Sequence, residues 1–531
     1  MPAAITRRAV LDLGSNSFRL VVFESTDTWW RRSDEIREPV RLAAGVEADG
    51  SLGKQAIGRA LDVLDVFAGF LRAAEIDQAH VHAIGTSAIR EATNQQTLLK
   101  LAKERCGITI DVISREREAW YGYVAAVNST TLRNGTVLDI GGGSLQLTGV
   151  KKRTPVNCAS WLLGAVRMTA AFLPPGGPAT RNQVRALRDH ALSEFSRADW
   201  LGVPGGAGST GGRLVGLGGA VRNLATAALD LHGLPEVGGA QGVVVDRDTL
   251  DELIEEMRRR SSADRARLRG IKPSRADIIL AAAVVIAAAL QASGAEALEA
   301  TEYGLREGVL LAQQLAGPDG PPGDGELLGK GTRQPLIDDV RRSGVENLMH
   351  RYDTGEAHVE HVTKLGLSMF DQLVKLDLQD PDPVERELLW AACQLHDIGM
   401  KLDYDDHHKH VRYILTTGGL PGFSPAETAI VAQACRYHRR GMPSPGTFAP
   451  LLGPGDNGRL QRIATLLRLA EGLERGRDGT VRSVRLTSAS DGSVQLGVDA
   501  RGEAHVPLWA AAREVELFER AYGASLSVTD R

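Results

Sequence analysis

Cysteine is scarce in this sequence. Only four cysteines occur among 531 residues, and no two of them form a Cys-X-X-Cys pair. They are Cys106, Cys158, Cys393 and Cys435. This scatter implies neither a disulfide framework nor a zinc finger, and it fits a reducing cytoplasm.

Long hydrophobic runs are also missing. The most apolar segment, residues 278–290, is too short to span a bilayer, and no charged region followed by an apolar run opens the chain. We therefore expect a cytoplasmic protein that does not bind membranes. The segment 278–290 is predicted to be a buried helix.

The chain carries little net charge of either sign. Its 62 basic and 66 acidic residues give a formal net charge of −4. This balance provides no global attraction to a polyanion, and we expect no nucleic-acid partner. A polyanionic ligand would have to bind to local basic patches.

The most informative stretch is TVLDIGGGSLQL, residues 136–147. Its pattern predicts a buried strand, a glycine turn and a second strand. Consecutive glycines accept positive φ, so their N–H groups can turn inward around an anion. Asp139 at the mouth of the turn suits a hard cation beside a phosphate. The absence of a following Gly-Lys-Ser/Thr excludes a P-loop, and an ordinary hairpin turn is the alternative.

A second copy of this pattern lies near the start of the chain. The stretch AVLDLGSNSFRLVV, residues 9–22, again places an aspartate, Asp12, before a glycine-containing turn between two strands. Two such hairpins predict a duplicated domain whose loops face each other across a cleft.

Further motifs accompany the two hairpins in a fixed order. They are GTSAIREATN (85–94), the segment from Ile113-Ser114 to Glu118-Ala119, LGAVR (163–167), GLGG (216–219), RAD (275–277) and YGLREG (303–308). As a set they cover about the first 312 residues. This set resembles the exopolyphosphatase/guanosine pentaphosphatase family, a branch of the actin/Hsp70/sugar-kinase superfamily.

The resemblance implies an α/β fold with two duplicated ribonuclease H-like (actin-like ATPase) domains and a cleft. An all-α HD-like domain and a small α+β C-terminal unit would follow. The predicted bounds are 1–128 for domain I, 129–314 for domain II, 315–335 for a linker rich in proline and glycine, 336–475 for the HD-like domain and 476–531 for the C-terminal unit.

The resemblance also assigns roles in the cleft. Glu118 matches the base that activates the attacking water. The residues that would bind phosphate are Gly14, Ser15, Asn16, Arg90, Gly141, Gly142, Gly143, Ser144, Gly218 and Gly219. Asp12, Asp139 and Gln146 would hold Mg²⁺. No Ser/His/Asp or cysteine nucleophile set accompanies these loops, which favours direct attack by water.

Two residues depart from the family pattern. Gln146 stands where the family usually has a glutamate that helps to hold Mg²⁺, and Ala220 stands where it usually has threonine. The first change removes a negative charge and the second removes a hydroxyl group. We expect weaker metal binding, and activity that is low for the family.

Histidines are concentrated in the second half of the chain. His358, the pair His396-Asp397 and Glu471 resemble the framework of an HD domain, in which such residues hold a divalent metal. Glu471 replaces the usual aspartate. We expect a transition metal at these four residues; a structural helical domain with relic ligands is the alternative. His407, His408, His410 and His438 lie in the same region.

The leading prediction is an exopolyphosphatase that releases terminal phosphate from inorganic polyphosphate by Mg²⁺-assisted attack of water. Guanosine pentaphosphate (pppGpp) is the competing substrate. A low-activity regulator that binds polyphosphate or nucleotides is a further alternative, and a sugar or acetate kinase is disfavoured. We also expect a homodimer. A basic lane for long chains, or simply solvated helix faces, would be formed by Arg436, Arg439, Arg440, Arg459, Arg462 and Arg468.

Overall fold

The computed structural model describes residues 4–201, 212–316, 320–328, 332–352 and 355–530. The chain forms two compact units. The first comprises Met1–His232 with Gly242–Val340, and the second comprises Gly233–Gln241 with Arg341–Arg531. In the described residues, no helix is both long and apolar enough to cross a membrane.

The first unit contains eleven strands and eleven helices in its described residues. The strands are β1 Thr6–Leu13, β2 Ser17–Ser25, β3 Trp30–Pro39, β4 Val81–Gly85, β5 Ile110–Val112, β6 Gly135–Ile140, β7 Leu145–Lys151, β8 Thr154–Trp161, β9 Arg213–Leu217, β10 Val244–Asp246 and β11 Ala297–Ala300. The helices are α1 Lys54–Ala73, α2 Ser87–Arg90, α3 Gln95–Leu101, α4 Arg115–Val127, α5 Ala165–Phe172, α6 Arg181–Phe195, α7 Gly219–Leu231, α8 Arg247–Arg258, α9 Ser262–Arg265, α10 Ile279–Ser293 and α11 Leu305–Leu315.

These strands form two sheets of matching topology. One has the order β3-β2-β1-β4-β5, and the other contains β8-β7-β6-β9-β11 with β10 added at its edge. Each sheet has an antiparallel hairpin pair in its centre, β1-β2 or β6-β7, next to a parallel strand. The shared order agrees with the predicted duplication.

Hydrophobic packing joins the two sheets. One core contains Val10 of β1, Val124 of α4, Val137 of β6 and Val309 of α11, all buried. Because α4 and α11 contribute to the same core as both sheets, they fix the distance between the two hairpins. The segment around 278–290 forms α10, in which eleven of fifteen residues are buried, which confirms the buried helix predicted there.

The second unit is mainly helical. Its helices are α12 Val340–Tyr352, α13 Glu356–Lys375, α14 Pro383–Leu395, α15 His407–Gly418, α16 Pro425–Arg436, α17 Asp456–Leu473, α18 His505–Ala512 and α19 Val515–Tyr522. The strands are β12 Val481–Ser488, β13 Val494–Ala500 and β14 Leu526–Asp530. They form a sheet with β13 in the middle, antiparallel to β12 and parallel to β14.

The helices and the sheet of the second unit share one hydrophobic core. Leu365 of α13 and Leu467 of α17 belong to the same buried cluster as Val484 and Leu496 of the sheet. The predicted boundary at residue 476 therefore passes through this core. In the predicted linker 315–335, residues 317–319 and 329–331 lie outside the described residues, as do residues 202–211 in the glycine-rich stretch before β9.

Candidate functional site

The first unit contains a cleft with a volume of about 180 Å³. It lies where β1, β6 and β9 end, so the turns that follow these strands supply much of its wall. The predicted site residues that line it are Asp12, Gly14, Ser15, Asn16, Glu118, Asp139, Gly141, Gly142, Gly143, Ser144, Gln146, Gly218 and Gly219. Arg90 is the one predicted residue of this site that is not part of the wall.

The two hairpins position the aspartates in the same way. Asp12 of β1 pairs across the hairpin with Arg19, and Asp139 of β6 pairs with Gln146, seven residues later in each case. Directly opposed residues on adjacent strands project to the same face of a sheet. Each aspartate therefore enters the cleft with a partner side chain beside it.

Burial changes the protonation of both aspartates. It raises the pKa of Asp12, and burial together with the charge of Asp12 raises the pKa of Asp139 to about 6. Two neighbouring, partly desolvated carboxylates are costly to ionise without a cation. Their oxygens, with the amide of Gln146, are donors of the type that Mg²⁺ prefers, so the residues present fit the predicted metal.

Helix α5 fixes the triple-glycine loop. The amides of Gly164, Ala165 and Val166 donate to the carbonyl oxygens of Gly143, Gly141 and Gly142 at 3.3, 3.0 and 3.0 Å. This approach requires glycine at position 164, because a Cβ there would lie 2.3 Å from the carbonyl carbon of Gly143. With its carbonyls engaged, the loop retains the amides of Gly142 and Gly143 for an anion in the cleft.

The third turn depends on glycine as well. Gly218 has φ of +96°, and Gly219 begins α7. A Cβ at Gly219 would lie 2.2 Å from a terminal nitrogen of Arg275. The absence of a side chain here allows that guanidinium group to lie directly against the turn.

Glu118 lies in the first turn of α4, which begins after the N-cap Ser114. Arg90 Nη1 donates to Glu118 Oε2 at 3.0 Å and to the carbonyl oxygen of Ile113 at 2.9 Å. Burial raises the pKa of Glu118 to about 7; the Arg90 charge lowers it, but the charges of Asp139 and Asp12 add to the rise. A carboxyl group with this pKa can accept a proton near neutral pH.

Arg90 thus lies behind Glu118. Its Nε and Nη2 atoms are buried and lack hydrogen-bond partners among the described residues. Its predicted contact with phosphate stays a prediction, because the geometry assigns it first to the orientation of Glu118.

A group of arginines completes the cleft wall. The group consists of Arg19, Arg37, Arg222, Arg275 and Arg306. Burial and the nearby charges of Arg306 and Arg37 lower the pKa of Arg19 to about 10, and burial with other members of the group lowers that of Arg275 to about 10. Crowded, mostly half-buried like charges favour an anionic ligand, which would relieve their repulsion.

Sequence reasoning gave these arginines no role. Arg19, Arg275 and Arg306 lie within the hairpin and motifs already singled out, so their positions were a usable signal. Arg37 at the end of β3 and Arg222 in α7 stand in no motif. Only the fold brings these last two to the cleft.

Comparison with known families agrees with this geometry. Residues 21–316 match the model of the Ppx/GppA phosphatase family. The chain belongs to the Ppx/GppA phosphatase family. Residues 340–512 match the model described as Ppx/GppA phosphatase, domain III, so the second unit also corresponds to a known part of this family.

Curated relatives match the chain over nearly its whole length. A Vibrio vulnificus protein named guanosine-5'-triphosphate,3'-diphosphate pyrophosphatase is 28% identical over 518 residues, covering 96% of this chain and 95% of the relative. A Vibrio cholerae protein of the same name is 25% identical over 529 residues, with the same coverage.

Solved structures match somewhat more than half of the chain. The crystal structure of the Aquifex aeolicus member of the Ppx/GppA family is 26% identical with a TM-score of 0.51, covering 58% of this chain and 97% of that one. An exopolyphosphatase structure from Cytophaga hutchinsonii, 22% identical with a TM-score of 0.51, covers 58% of this chain and 98% of its own, and supports the fold alone.

The domain III region of this family member contains a second cluster of polar side chains. His358 of α13, His396 at the end of α14 and Glu471 of α17 are brought together, as predicted from the sequence. His358 Nε2 and His396 Nε2 lie 3.1 and 3.4 Å from Glu471 Oε2. The longer side chain of glutamate therefore reaches the two histidines.

Asp397 lies 3.7 Å from His396 Nε2, close to the predicted group, and it also belongs to a second group that was not predicted. Its carboxylate forms a compact set with His407 and His438, while still lying 3.8 Å from His358 Nε2. His407 lies in α15 and His438 follows α16, so four loops or helices meet here. The sequence contained both histidines, but their spacing did not indicate which side chains would meet.

The predicted basic lane is divided in the structure. Arg459 and Arg462 form ion pairs with Asp382 and Glu385 at 2.8 and 2.5 Å, which makes them structural. Three others, Arg439, Arg440 and Arg468, border a pocket of about 660 Å³ beside the second cluster. Arg475 and Arg513, which were not part of the predicted lane, border the same pocket.

Proposed function

We propose that the cleft of the first unit releases the terminal phosphate of inorganic polyphosphate by direct attack of water. The observation that carries this proposal is the combination, in one cleft, of three half-buried carboxylates, glycine turns and five arginines. Phosphoanhydride hydrolysis requires charge neutralisation and an oriented water more than covalent catalysis. These groups supply both requirements.

The arginines and the loop amides act on the substrate. Arg37 and Arg275 form no ion pair or hydrogen bond through their side chains with other described residues, so their guanidinium groups remain available to phosphate oxygens. The amides of Gly142 and Gly143 would hold the terminal phosphate. Charge-assisted hydrogen bonds of this kind are strong and directional.

Glu118 acts on the water. It accepts a proton as the water oxygen forms a bond to the terminal phosphorus and the anhydride P–O bond breaks. The electron pair of that bond leaves with the shortened chain, and inorganic phosphate is released. Arg90 holds the carboxylate in place through its 3.0 Å hydrogen bond.

Asp12, Asp139 and Gln146 would hold Mg²⁺. When bound, the ion supplies positive charge that neutralises the phosphate oxygens. Gln146 Nε2 donates to Ser144 Oγ at 3.0 Å, which orients the amide group of Gln146. With two carboxylates and one amide, the donor set is less negative than the family pattern.

Guanosine pentaphosphate is the second candidate substrate. The full-length relatives from Vibrio carry the name of that activity, which favours it. Against it, none of the described residues that line the cleft is aromatic, so a guanine base has no stacking partner there. The arginine-rich wall suits a linear polyanion better.

A substrate panel tests the proposal. Phosphate release should be measured with Mg²⁺ from long-chain polyphosphate, from pppGpp, and from ATP with and without sugars or acetate. Polyphosphate should give the highest kcat/KM. A clear preference for pppGpp would establish the second candidate, ATP-dependent phosphorylation of a sugar or acetate would establish a kinase, and binding without release would establish a regulator.

We further propose that the second unit is HD-like. Its His, His-Asp and acidic residues lie on α13, at the end of α14 and on α17, and this order along separate helices supports the assignment.

A further inference from the structure

Ser87 belongs to the sequence motif GTSAIREATN, residues 85–94, of which only Arg90 takes part in the proposed reaction. It lies two residues beyond the end of β4, at the first position of the short helix α2. The residue is buried, with 6% of its surface exposed, and it lines the cleft. Buried polar groups in folded proteins nearly always have hydrogen-bond partners, so the partners of this hydroxyl group indicate its role.

Ser87 contacts the turns of both hairpins. Its Oγ lies 2.8 Å from Ser15 Oγ, in the turn between β1 and β2. It also lies against the triple-glycine loop, since a Cβ added to Gly143 would be 2.9 Å from Ser87 Oγ and 3.7 Å from Ser15 Oγ. The absence of a side chain at Gly143 therefore leaves room for two adjacent hydroxyl groups beside the loop. The first sheet provides both hydroxyl groups, and the second sheet provides the loop.

The hydrogen bond between the two serines leaves one hydroxyl hydrogen over. Each hydroxyl group has one hydrogen to donate, and the contact between Ser15 Oγ and Ser87 Oγ uses one of the two. Among the described residues, no other group forms a hydrogen bond with either hydroxyl group. The second hydrogen therefore needs an acceptor from the cleft, which is either a water molecule or a bound ligand.

The position of Ser87 selects it as the donor to a ligand. Ser87 is more deeply buried than Ser15, and its Oγ lies nearer to Gly143. In the proposed reaction the amide of Gly143 holds the terminal phosphate, so Ser87 Oγ lies beside the same phosphate. A hydrogen bond to a charged oxygen is roughly twice as strong as one between neutral groups, which favours phosphate over water as the acceptor.

We propose that Ser87 binds the terminal phosphate of the substrate and that Ser15 positions it. Ser15 Oγ donates to Ser87 Oγ, and Ser87 Oγ donates to an oxygen of the phosphate held by the amide of Gly143. This inference rests on the proposed function, from which it takes the role of the triple-glycine loop. Ser15 is among the phosphate-binding residues predicted from the sequence, and here it acts through Ser87.

The bound phosphate then connects the two sheets of the first unit. It accepts from a side chain at the end of the first sheet and from backbone amides in the loop of the second. Donors in a chain of hydrogen bonds polarise one another, so the bond from Ser15 strengthens the bond that Ser87 makes to the phosphate. Substrate binding therefore holds the turns of the two hairpins together.

Equilibrium binding tests the proposal without turnover. Every chain carries Glu118→Gln, and calorimetry with saturating Mg²⁺ measures the affinity for tripolyphosphate, long-chain polyphosphate and pppGpp. Adding Ser87→Ala should weaken the binding of the preferred ligand roughly tenfold, which is the scale of one hydrogen bond to a charged group. Adding Ser15→Ala should weaken it by a smaller factor, because Ser87 keeps its hydrogen.

Two further variants separate the loss of a donor from damage to the fold. Ser87→Cys keeps a side chain of similar size but offers only a weak S–H donor, so it should lose affinity as the alanine variant does. Ser33→Ala is the matched control, because it removes an exposed hydroxyl group of β3, in the same sheet but outside the cleft wall. It should leave the affinity unchanged. Thermal melts establish that each variant is folded.

The outcomes for Ser87 and for the substrate are distinguishable. Tight binding of polyphosphate that is equal in the parent, Ser87→Ala and Ser87→Cys would overturn the role of Ser87 and leave the proposed substrate standing; a lower Tm at equal affinity would make the serine pair purely structural. Preferred binding of pppGpp that Ser87→Ala weakens would support Ser87 and overturn the proposed substrate. A larger loss in Ser15→Ala than in Ser87→Ala would also overturn the assignment of Ser87 as the donor.

Discussion

Replacing Glu118 with glutamine should make the protein more stable at pH 8 when no Mg²⁺ is present. Burial raises the pKa of Glu118 from 4.5 to about 7. At pH 8 Glu118 is ionised in both states, but its ionisation costs more free energy in the folded chain than in the unfolded chain. This difference corresponds to about 3 kcal/mol of lost stability. Glutamine resembles the protonated acid and still accepts the hydrogen bond from Arg90.

The sign of the effect follows from proton binding. Between pH 4.5 and 7 the folded state binds more protons at Glu118 than the unfolded state, so the stabilisation is complete below pH 4.5 and disappears as the pH rises through 7. The wild type should therefore lose more stability than the variant over this range.

Urea denaturation at pH 5 and pH 8 in EDTA measures the effect. We expect Glu118→Gln to gain up to about 3 kcal/mol at pH 8 and much less at pH 5. The control is Glu116→Gln, which changes an exposed glutamate in the same helical turn and should have little effect at either pH. Equal stability of Glu118→Gln and wild type at pH 8 would refute the role of burial.

Three further predictions concern activity. Because Glu118 must be ionised to accept a proton, kcat/KM should fall as the pH drops below about 7, and a pH–rate profile without this limb would contradict its role as base. Gln146→Glu should lower the Mg²⁺ concentration for half-maximal activity roughly tenfold, because it adds a negative charge opposite Asp139; identical Mg²⁺ titrations would place Gln146 outside the metal shell. Arg275→Gln should raise the KM for polyphosphate roughly tenfold with a smaller change in kcat, whereas the exposed Arg269→Gln should change neither; equal KM values would exclude Arg275 from substrate binding.

The glycine turns of the cleft could be predicted because their signal is local. An aspartate, a glycine turn and two apolar strands within a dozen residues determine a hairpin, and repetition of the pattern determines the facing pair. Arg37 and Arg222 could not be predicted in this way. Their place in the wall depends on the pairing of β3 with β2 and on the packing of α7, which no short pattern records.

In the histidine cluster, too, some contacts could be predicted from the sequence and others depend on the fold. His396 and Asp397 are adjacent in the chain, which predicts that they bind the same metal. In the structure Asp397 stays 3.7 Å from His396, and its carboxylate also forms a compact set with His407 and His438. This additional set is decided by how α15 and α16 pack, which no spacing in the sequence records.

The arginines of the second unit fall into two groups, which differ in whether a carboxylate pairs closely with the guanidinium group. Arg459 and Arg462 are paired with buried or half-buried carboxylates, and Arg439 and Arg475 border the metal-ligand cluster. All four are arginines, so the residue type does not separate them. Only the positions of their acidic partners distinguish a structural arginine from one available to a ligand.

The initial rate of phosphate release from polyphosphate, compared between Glu118→Gln and the double variant His396→Ala with Asp397→Ala, tests the central claim most directly. Both variants are assayed with saturating Mg²⁺ beside the wild type. Glu118→Gln should lose activity by roughly 100-fold or more while still binding polyphosphate, since a water-activating base acts mainly in the transition state. The double variant should keep most of its activity on short chains. The opposite result, with activity lost in the double variant and kept in Glu118→Gln, would place the reaction in the second unit and contradict the account.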